Sequence, residues 1–227
     1  ITELEADVVL LQEIENQTCI DALLARLPEF SDGYIGEQGY AASLDTAVLV
    51  GLPTLALISH QDDEFPRLDG SGLTSFTRDL LEVHVDVDGA RVIVFAAHFR
   101  SKVDDDPGRR LAEGQRAGEW LAMRAAEYPE ATIVLGGDLN DVPASPPLQA
   151  LESSGPLLRV ASELADDSTY LYDGKASALD HLFQALSAAG AAVPGSAKIF
   201  RSPTAWDGGG WGGSDHAALR ASFTVGG

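Results

Sequence analysis

The order of apolar and polar residues along the chain predicts strands and helices in mixed succession. Apolar runs without a polar side begin at Ala6 and at Thr132, which is typical of strands in a sheet that is covered on both faces. Apolar residues at helical spacing predict helices over 20–27 and 109–128. Further strands are expected at 46–50, 55–59, 91–97, 179–183, 198–200 and 217–225, with a short helix at 148–151. This succession favours a mixed sheet system in one domain.

Residues 81–87 alternate strictly between apolar side chains and polar ones such as Glu82 and His84. The alternation predicts a strand with one face in solvent, on which His84 is solvated. Asp88-Gly89 then predicts a hairpin turn into the next strand. The polar and acidic residues 61–72 are expected to form an exposed loop.

The composition is ordinary for a soluble globular domain, since 45% of the 227 residues are hydrophobic and 22% are charged. No apolar run is long enough to span a bilayer, and the first residues show no signal-peptide pattern. Cys19 is the single cysteine, which excludes an internal disulfide and a zinc site built from cysteines. The redox compartment therefore stays open.

The formal net charge of -20 bears on the choice of partners. A generic nucleic-acid-binding protein carries a basic surface, because much of its affinity comes from neutralising phosphates. The overall charge gives no indication of such a surface, although it is compatible with a local basic cleft. The acidity reflects either solubility and adaptation to salt, or the choice of substrate.

Residues capable of chemistry follow five of the predicted strands: Glu13, His98, Asp138 with Asn140, Asp180, and Asp215 with His216. Each one alone is compatible with a solvated charge, a turn or a cap. Together they are complementary, because carboxylates suit Mg²⁺ or Mn²⁺ and an imidazole beside an acid is a general-base candidate. A buried carboxylate such as Asp180 is suited to orient that imidazole.

Five short motifs in this order carry a family resemblance: Leu11-Gln12-Glu13, His98-Phe99-Arg100-Ser101-Lys102, Gly137-Asp138-Leu139-Asn140, Leu179-Asp180-His181 and Ser214-Asp215-His216. Their order and spacing resemble the endonuclease/exonuclease/phosphatase superfamily, which includes the deoxyribonuclease I-like nucleases. The segments around Glu13 and His98 are most similar to bacterial extracellular nucleases of that group. The resemblance implies an α/β fold, a four-layer sandwich of two mixed sheets with helices outside, over residues 1–227. It also suggests a soluble, secreted or periplasmic protein.

The resemblance implies a metal site and a set of metal ligands. Glu13 is expected to be the principal ligand, assisted by Asp215 and Asp138. The expected ion is Mg²⁺, with Mn²⁺ or Ca²⁺ as alternatives.

The resemblance also implies the catalytic roles. Asp138 and Asn140 are expected to position the attacking water and the phosphate. Asp180 is expected to hold His216, which activates that water or stabilises the charge of the transition state. His98 is expected to contact the scissile phosphate or the leaving oxygen.

Further residues have candidate roles beside the phosphate. Arg78 matches a phosphate-contacting arginine of deoxyribonuclease-like members, although it is also compatible with a surface arginine on a strand. Asp45 matches an acid that pairs with His98. Trp206 and Trp211 lie in a glycine-rich loop and either stack on bases or pack at the rim.

The sequence departs from the family in one place. Members normally begin with a strand that ends in a phosphate-binding Asn, and this strand would precede Ile1. Because Glu13 and every later motif are present, omission of that strand from this sequence is the favoured explanation. A chain that truly lacked it would expose the unpaired edge of a central strand.

Three functions are compatible with these observations. The first is a Mg²⁺-dependent phosphodiesterase acting on nucleic acid, which predicts a positive cleft around Arg78, Arg100, Lys102 and Arg109. The second is a phosphatase or phospholipase acting on a small phosphoester or a lipid headgroup, which the acidity favours mildly. The third is a non-catalytic phosphate-binding domain. The implied partner is a phosphoester substrate, with nucleic acid as the first choice, and no protein partner is implied.

Overall fold

The apolar runs of the sequence form strands in two main sheets. The computed structural model describes residues 1–39, 43–201, 210–211 and 213–226. Within them the α-helices are α1 (Gln17–Leu24), α2 (Pro107–Glu127) and α3 (Pro146–Ser153), and short 3-10 helices occupy Thr2–Leu4 and Val160–Glu163. The strands are β1 (Val8–Ile14), β2 (Asp32–Ile35), β3 (Asp45–Val50), β4 (Thr54–Ile58), β5 (Phe65–Pro66), β6 (Leu73–Thr74), β7 (Leu81–Val87), β8 (Ala90–His98), β9 (Thr132–Asp138), β10 (Leu157–Arg159), β11 (Tyr170–Tyr172), β12 (Lys175–Ser177), β13 (Asp180–Ala185), β14 (Ala191–Ala192), β15 (Lys198–Phe200), β16 (Ala218–Arg220) and β17 (Phe223–Thr224).

The larger sheet has six strands in the order β10-β13-β9-β8-β7-β4, and the smaller has the order β1-β3-β2. β8 and β9 are parallel, because α2 carries the chain back between them, and the other pairs in both sheets are antiparallel. Short antiparallel pairs form from β5 and β6, β11 and β12, β14 and β17, and β15 and β16. The larger sheet is therefore mixed, as predicted, whereas the pairs of the smaller sheet are all antiparallel, which differs from the prediction of two mixed sheets.

Three apolar clusters define four layers. Val48, Val83 and neighbouring residues lie between the two sheets. α1 covers the outer face of the smaller sheet through Ile20. α2 and α3 cover the outer face of the larger sheet through residues such as Leu121 and Leu148. The predicted four-layer α/β sandwich is therefore confirmed.

The expectation of a solvated face on β7 is wrong. Glu82 and His84 are 0% and 1% exposed, because α2 lies over that face and places Arg124 against Glu82. The Nη1 of Arg91 donates to Nδ1 of His84 at 2.8 Å, so Nε2 of His84 carries the proton and donates to Glu82. The alternating pattern identified two faces of the strand correctly, but the polar face is a buried network.

Two other predicted segments differ from the structure. Residues 61–72 are not wholly an exposed loop, since Phe65 is buried against Phe76 with their ring centroids 4.9 Å apart. The expected strand over 217–225 is divided into β16 and β17, which pair with different strands. The hairpin turn at Asp88 and Gly89 is confirmed, with φ angles of 54° and 93°.

A largely apolar cleft of about 920 Å³ lies between β1 and β16. Among the described residues β1 pairs only with β3, and β16 only with β15, so both facing edges carry backbone groups without a strand partner. Val8 and Leu219 line the cleft, and one end reaches Asp180 and His216. The strand that the family resemblance places upstream of Ile1 stays a prediction.

Among the described residues, no helix combines the length and the apolar composition that crossing a membrane requires.

Candidate active site

Three neighbouring strands of the larger sheet meet at the centre of the candidate site. β8 and β9 run parallel with His98 opposite Asp138, and β13 runs antiparallel with Asp180 opposite Asp138. Since β8 and β9 end at these residues and β13 begins there, the sheet itself sets the three side chains at one edge.

The last residues of β9 pack so closely on β8 that position 137 requires glycine. Gly137 has a φ of 137°, and a Cβ atom there would lie 1.9 Å from the carbonyl oxygen of Ala97. Asn140 adopts a left-handed φ of 53°, which asparagine tolerates better than most residues. Its backbone N–H donates to Asp138 at 2.8 Å, and its Nδ2 donates to the carbonyl oxygen of Phe99 at 3.1 Å. These bonds fix Asp138 and Asn140 relative to β8.

The predicted pair of Asp180 and His216 is brought together. Nδ1 of His216 lies 2.7 Å from Oδ2 of Asp180, and the ring of Tyr170 packs against the imidazole with centroids 4.6 Å apart. Burial alone would lower the pKa of His216, but the hydrogen bond to Asp180 and the charges of Asp180, Asp138 and Asp215 outweigh it and raise the pKa to about 9. The pair therefore has the geometry of an oriented imidazole.

His98 lies beside Asp138 without a hydrogen bond to it, since its Nε2 is 3.6 Å from Oδ2 of Asp138. The side chain is almost fully buried, and burial together with the charges of Arg78 and His216 lowers the pKa of His98 to about 3. His98 is thus neutral at physiological pH and presents a polar edge without a charge.

The predicted pairing of Asp45 with His98 is not seen among the described residues. Asp45 is fully buried and accepts a hydrogen bond of 2.7 Å from Oγ of Ser43. Oδ1 of Asp45 and Nδ1 of His98 both lack a partner within the described part of the chain. In the part of the chain that the structure describes, the hydrogen-bond partner of Asp45 is therefore Ser43 and not His98, and a role for Asp45 at the site stays a prediction.

The predicted basic cleft is partly neutralised by acids of the chain itself. Nζ of Lys102 lies 3.0 Å from Asp141, and Nε of Arg109 lies 3.7 Å from Glu113. Arg78 is half-buried, and its Nη1 donates to the carbonyl oxygen of Phe99 at 3.3 Å. Arg78 is therefore anchored beside Asn140 and is the best placed of these cations for a phosphate.

The carboxylates at the site leave an excess of negative charge. Burial raises the pKa of Asp138, and the charges of Asp180 and Glu13 raise it further. The pKa of Tyr170 is also raised, by burial first and then by the charges of Asp215, Asp138 and Glu13 among others. These acids therefore face one region, where a cation would relieve their repulsion.

The acids do not form a closed metal cage. Glu13 is exposed, has a φ of 60°, and lies where the pairing of β1 with β3 shifts register. Asp215 is exposed as well. Within the described residues no three His, Cys, Asp or Glu side chains are arranged to hold a metal ion together. The donor set fits Mg²⁺ bound through one or two carboxylates, with its other positions left to water or substrate.

With this geometry established, comparisons with known proteins identify the family. A model of the Endonuclease/Exonuclease/phosphatase family matches residues 1–219. The chain belongs to this family. The resemblance predicted from the sequence is confirmed.

Several known proteins are similar to the chain over different lengths. The chain is 29% identical over 134 residues to tyrosyl-DNA phosphodiesterase 2 of Gallus gallus, which covers 59% of the chain and 32% of that relative. The chain therefore spans about a third of the length of the curated relative it matches. The structure of D. rerio TDP2 complexed with single strand DNA product is similar at a TM-score of 0.70 and 17% identity, over 99% of this chain and 88% of that one. The structure of sphingomyelinase C from Streptomyces griseocarneus is similar at a TM-score of 0.59 and 18% identity, over 97% of this chain and 86% of that one.

Some residues at the site of this family member carried no clear signal in the sequence. Tyr170 packs on His216, and Oγ1 of Thr169 accepts the backbone N–H of Asp180 at 3.0 Å. An aromatic and a hydroxyl in a short connecting segment have no spacing that distinguishes them from packing residues. Trp211 packs on Phe200 with centroids 5.8 Å apart, which favours rim packing over base stacking. Trp206 lies outside the described residues.

Proposed function

We propose that this member of the family is a divalent-metal-dependent phosphodiesterase in which Asp180 holds His216, and His216 activates the attacking water or stabilises the charge of the transition state. The observation that carries the proposal is the 2.7 Å bond between these residues at the strand edge where Asp180 lies opposite Asp138. An imidazole that is held by a carboxylate and faces further acids is suited to general acid–base chemistry. A binding domain would have no need of such a pair.

The metal would be held directly by Glu13, with Asp215 and Asp138 assisting through water, since no three acids among the described residues are arranged to hold one ion together. Mg²⁺ is the first candidate, ahead of Mn²⁺ or Ca²⁺. The excess of negative charge around Asp138 and Tyr170 supports a cation there. When bound, such an ion supplies positive charge to the phosphate oxygens.

The residues of the chain bind and orient the substrate and manage the proton. Asp180 accepts from Nδ1 of His216 and thereby directs Nε2 toward the attacking water or the phosphate. Asp138 and Asn140 form a rigid turn that positions the water and one phosphate oxygen. Arg78 and neutral His98 contact the phosphate from the side of β8.

Nucleic acid is the substrate we propose, engaged over few phosphates. The relative named tyrosyl-DNA phosphodiesterase 2 and the D. rerio structure with a single strand DNA product support this choice. The net charge of -20 and the pairing of Lys102 and Arg109 with carboxylates leave few cations for a long phosphate backbone. A short contact centred on Arg78 is compatible with both observations.

A panel of substrates tests the proposal. The chain should cleave single-stranded or double-stranded DNA, RNA or bis-p-nitrophenyl phosphate when Mg²⁺ or Mn²⁺ is present, and chelation should abolish cleavage. If all of these diesters stay intact, the phosphodiesterase hypothesis fails.

The second candidate is a phosphatase or phospholipase, which the acidic charge and the similarity to a sphingomyelinase C fold favour. Release of phosphate from a monoester, or of headgroup from sphingomyelin, would identify it. Inactivity on every substrate would leave the non-catalytic domain.

A further inference from the structure

Behind the candidate site, a buried acid on α2 bridges two segments that carry phosphate-contacting candidates. Glu113 is 0% exposed. Its Oε1 accepts the backbone N–H of Thr77 at 2.6 Å, and its Oε2 accepts the backbone N–H of Arg100 at 2.7 Å. Thr77 precedes Arg78, and Arg100 follows His98 by two residues. One carboxylate therefore fixes the backbone next to both Arg78 and His98.

The peptide between Phe99 and Arg100 is shared by Glu113 and the site. Its N–H donates to Glu113, while its carbonyl oxygen accepts Nη1 of Arg78 at 3.3 Å and Nδ2 of Asn140 at 3.1 Å. The orientation of this one peptide plane thus sets where two polar side chains of the site are anchored. Charged acceptors form stronger hydrogen bonds with N–H groups than neutral ones do.

A buried carboxylate needs hydrogen-bond partners, but it does not need two backbone amides from separate segments of the chain. The neighbouring Arg109, 3.7 Å away on the same helix, already offers Glu113 a partner of opposite charge. Both oxygens instead take backbone donors from separate segments, 36 and 13 residues away along the chain. A carboxylate that joins distant loops through their amides restricts the loops rather than the helix.

We propose that Glu113 is a positioning residue for phosphodiester hydrolysis, which holds Arg78 and Asn140 in place through the Phe99–Arg100 peptide. This inference rests on the proposed function. Displacements of about 1 Å at a reacting centre cost on the order of 100-fold in rate. Loss of the Glu113 bonds should therefore lower kcat more than it raises KM, since the site is misaligned rather than removed.

The experiment compares Glu113→Gln with Glu119→Gln, an acid on the same helix that lies nearer the surface and whose carboxylate pairs with Arg116 at 2.9 Å. The amide that Glu113→Gln introduces would face two donors with one acceptor. In Glu113→Gln, kcat/KM on bis-p-nitrophenyl phosphate should fall roughly 10- to 100-fold, whereas Glu119→Gln should stay within about 2-fold. Equal losses in both variants would overturn the proposal.

A double-variant cycle separates positioning from general destabilisation. The combined loss in Glu113→Gln with Arg78→Ala should be at least about 3-fold smaller than the product of the single losses, because both changes remove the same anchored contact. A combined loss equal to the product would overturn the proposal. If Glu113→Gln does not fold, Glu113→Asp replaces it, since it keeps the charge but its shorter side chain cannot reach both amides.

A measurement that does not depend on activity tests the inference separately from the proposed function. If the chain hydrolyses no phosphodiester, the proposed function fails, and amide hydrogen exchange by NMR decides on Glu113. Exchange at Thr77 and Arg100 should become faster in Glu113→Gln, and the side-chain amide signal of Asn140 should shift. Unchanged exchange and an unchanged signal would refute the positioning role.

Discussion

Replacing Glu82 by Gln should destabilise the fold strongly. The carboxylate is fully buried and accepts from Nε2 of His60 at 2.8 Å, from His84, and from Nε and Nη2 of Arg124 at 2.6 and 3.1 Å. Gln would remove the charge opposite Arg124 and add an amide donor among other donors. Removing one partner of a buried ion pair lowers the free energy of unfolding by about 3–5 kcal/mol. For a chain of this size that corresponds to a fall in Tm of roughly 6–20 °C.

Thermal and urea unfolding measure this change, and Glu127→Gln is the matched control. Glu127 binds the same guanidinium, Nη1 of Arg124, at 2.7 Å, but its side chain is 51% exposed. Its removal should cost no more than about 1 kcal/mol, because exposed ion pairs contribute little. Equal losses in the two variants, or a loss below about 1 kcal/mol in Glu82→Gln, would refute the reasoning about burial.

Other predictions concern pH, the end of β9, the proposed catalytic pair and salt. Burial would raise the pKa of Glu82, but its hydrogen bonds to His60, His84 and Arg124 hold the pKa well below its usual range. The charged Glu82 side chain therefore stabilises the fold above its unfolded-state pKa, and this stabilisation is lost as the pH falls through its folded-state pKa. The difference in the free energy of unfolding between wild type and Glu82→Gln, measured with urea, should accordingly shrink below about pH 4. Gly137→Ala should cost at least about 2 kcal/mol in the same assay, since its Cβ would overlap a carbonyl oxygen of β8, and a neutral result would contradict the close contact between β9 and β8. Asp180→Asn should lower kcat on a phosphodiester by roughly 10²- to 10⁴-fold with unchanged unfolding, and retained activity would remove Asp180 from the mechanism. The slope of log Kd against log salt for oligonucleotide binding should correspond to contacts with about two phosphates or fewer. A steeper slope would contradict the neutralisation of Lys102 and Arg109 by acids of the chain.

The fold could be predicted where the sequence pattern reports directly on burial. Apolar runs identified the strands around Val134 and Leu10, and helical spacing identified α2. The cover over β7 could not be predicted, because alternation shows that a strand has two faces but not what packs on each. Glu82 and His84 look like solvent-facing residues until α2 supplies Arg124 from 42 residues away.

The candidate site was predictable for side chains at strand ends and less so for their supports. The parallel register of β8 and β9 brings His98 and Asp138 together, which the position of each residue after its strand already suggested. The anchoring of Arg78 by a backbone carbonyl and the bonds of Glu113 to two backbone amides leave no pattern in the sequence. Backbone acceptors are common to all residues, and a lone acid on a helix usually faces solvent.

The most direct test of the central claim is the rate at which the chain and its His216→Ala variant release p-nitrophenol from bis-p-nitrophenyl phosphate. We predict metal-dependent release by the unaltered chain, loss of that release on chelation, and a fall of at least about 100-fold in the variant, with both proteins equally folded. Release that survives either chelation or the loss of His216 would contradict the claim.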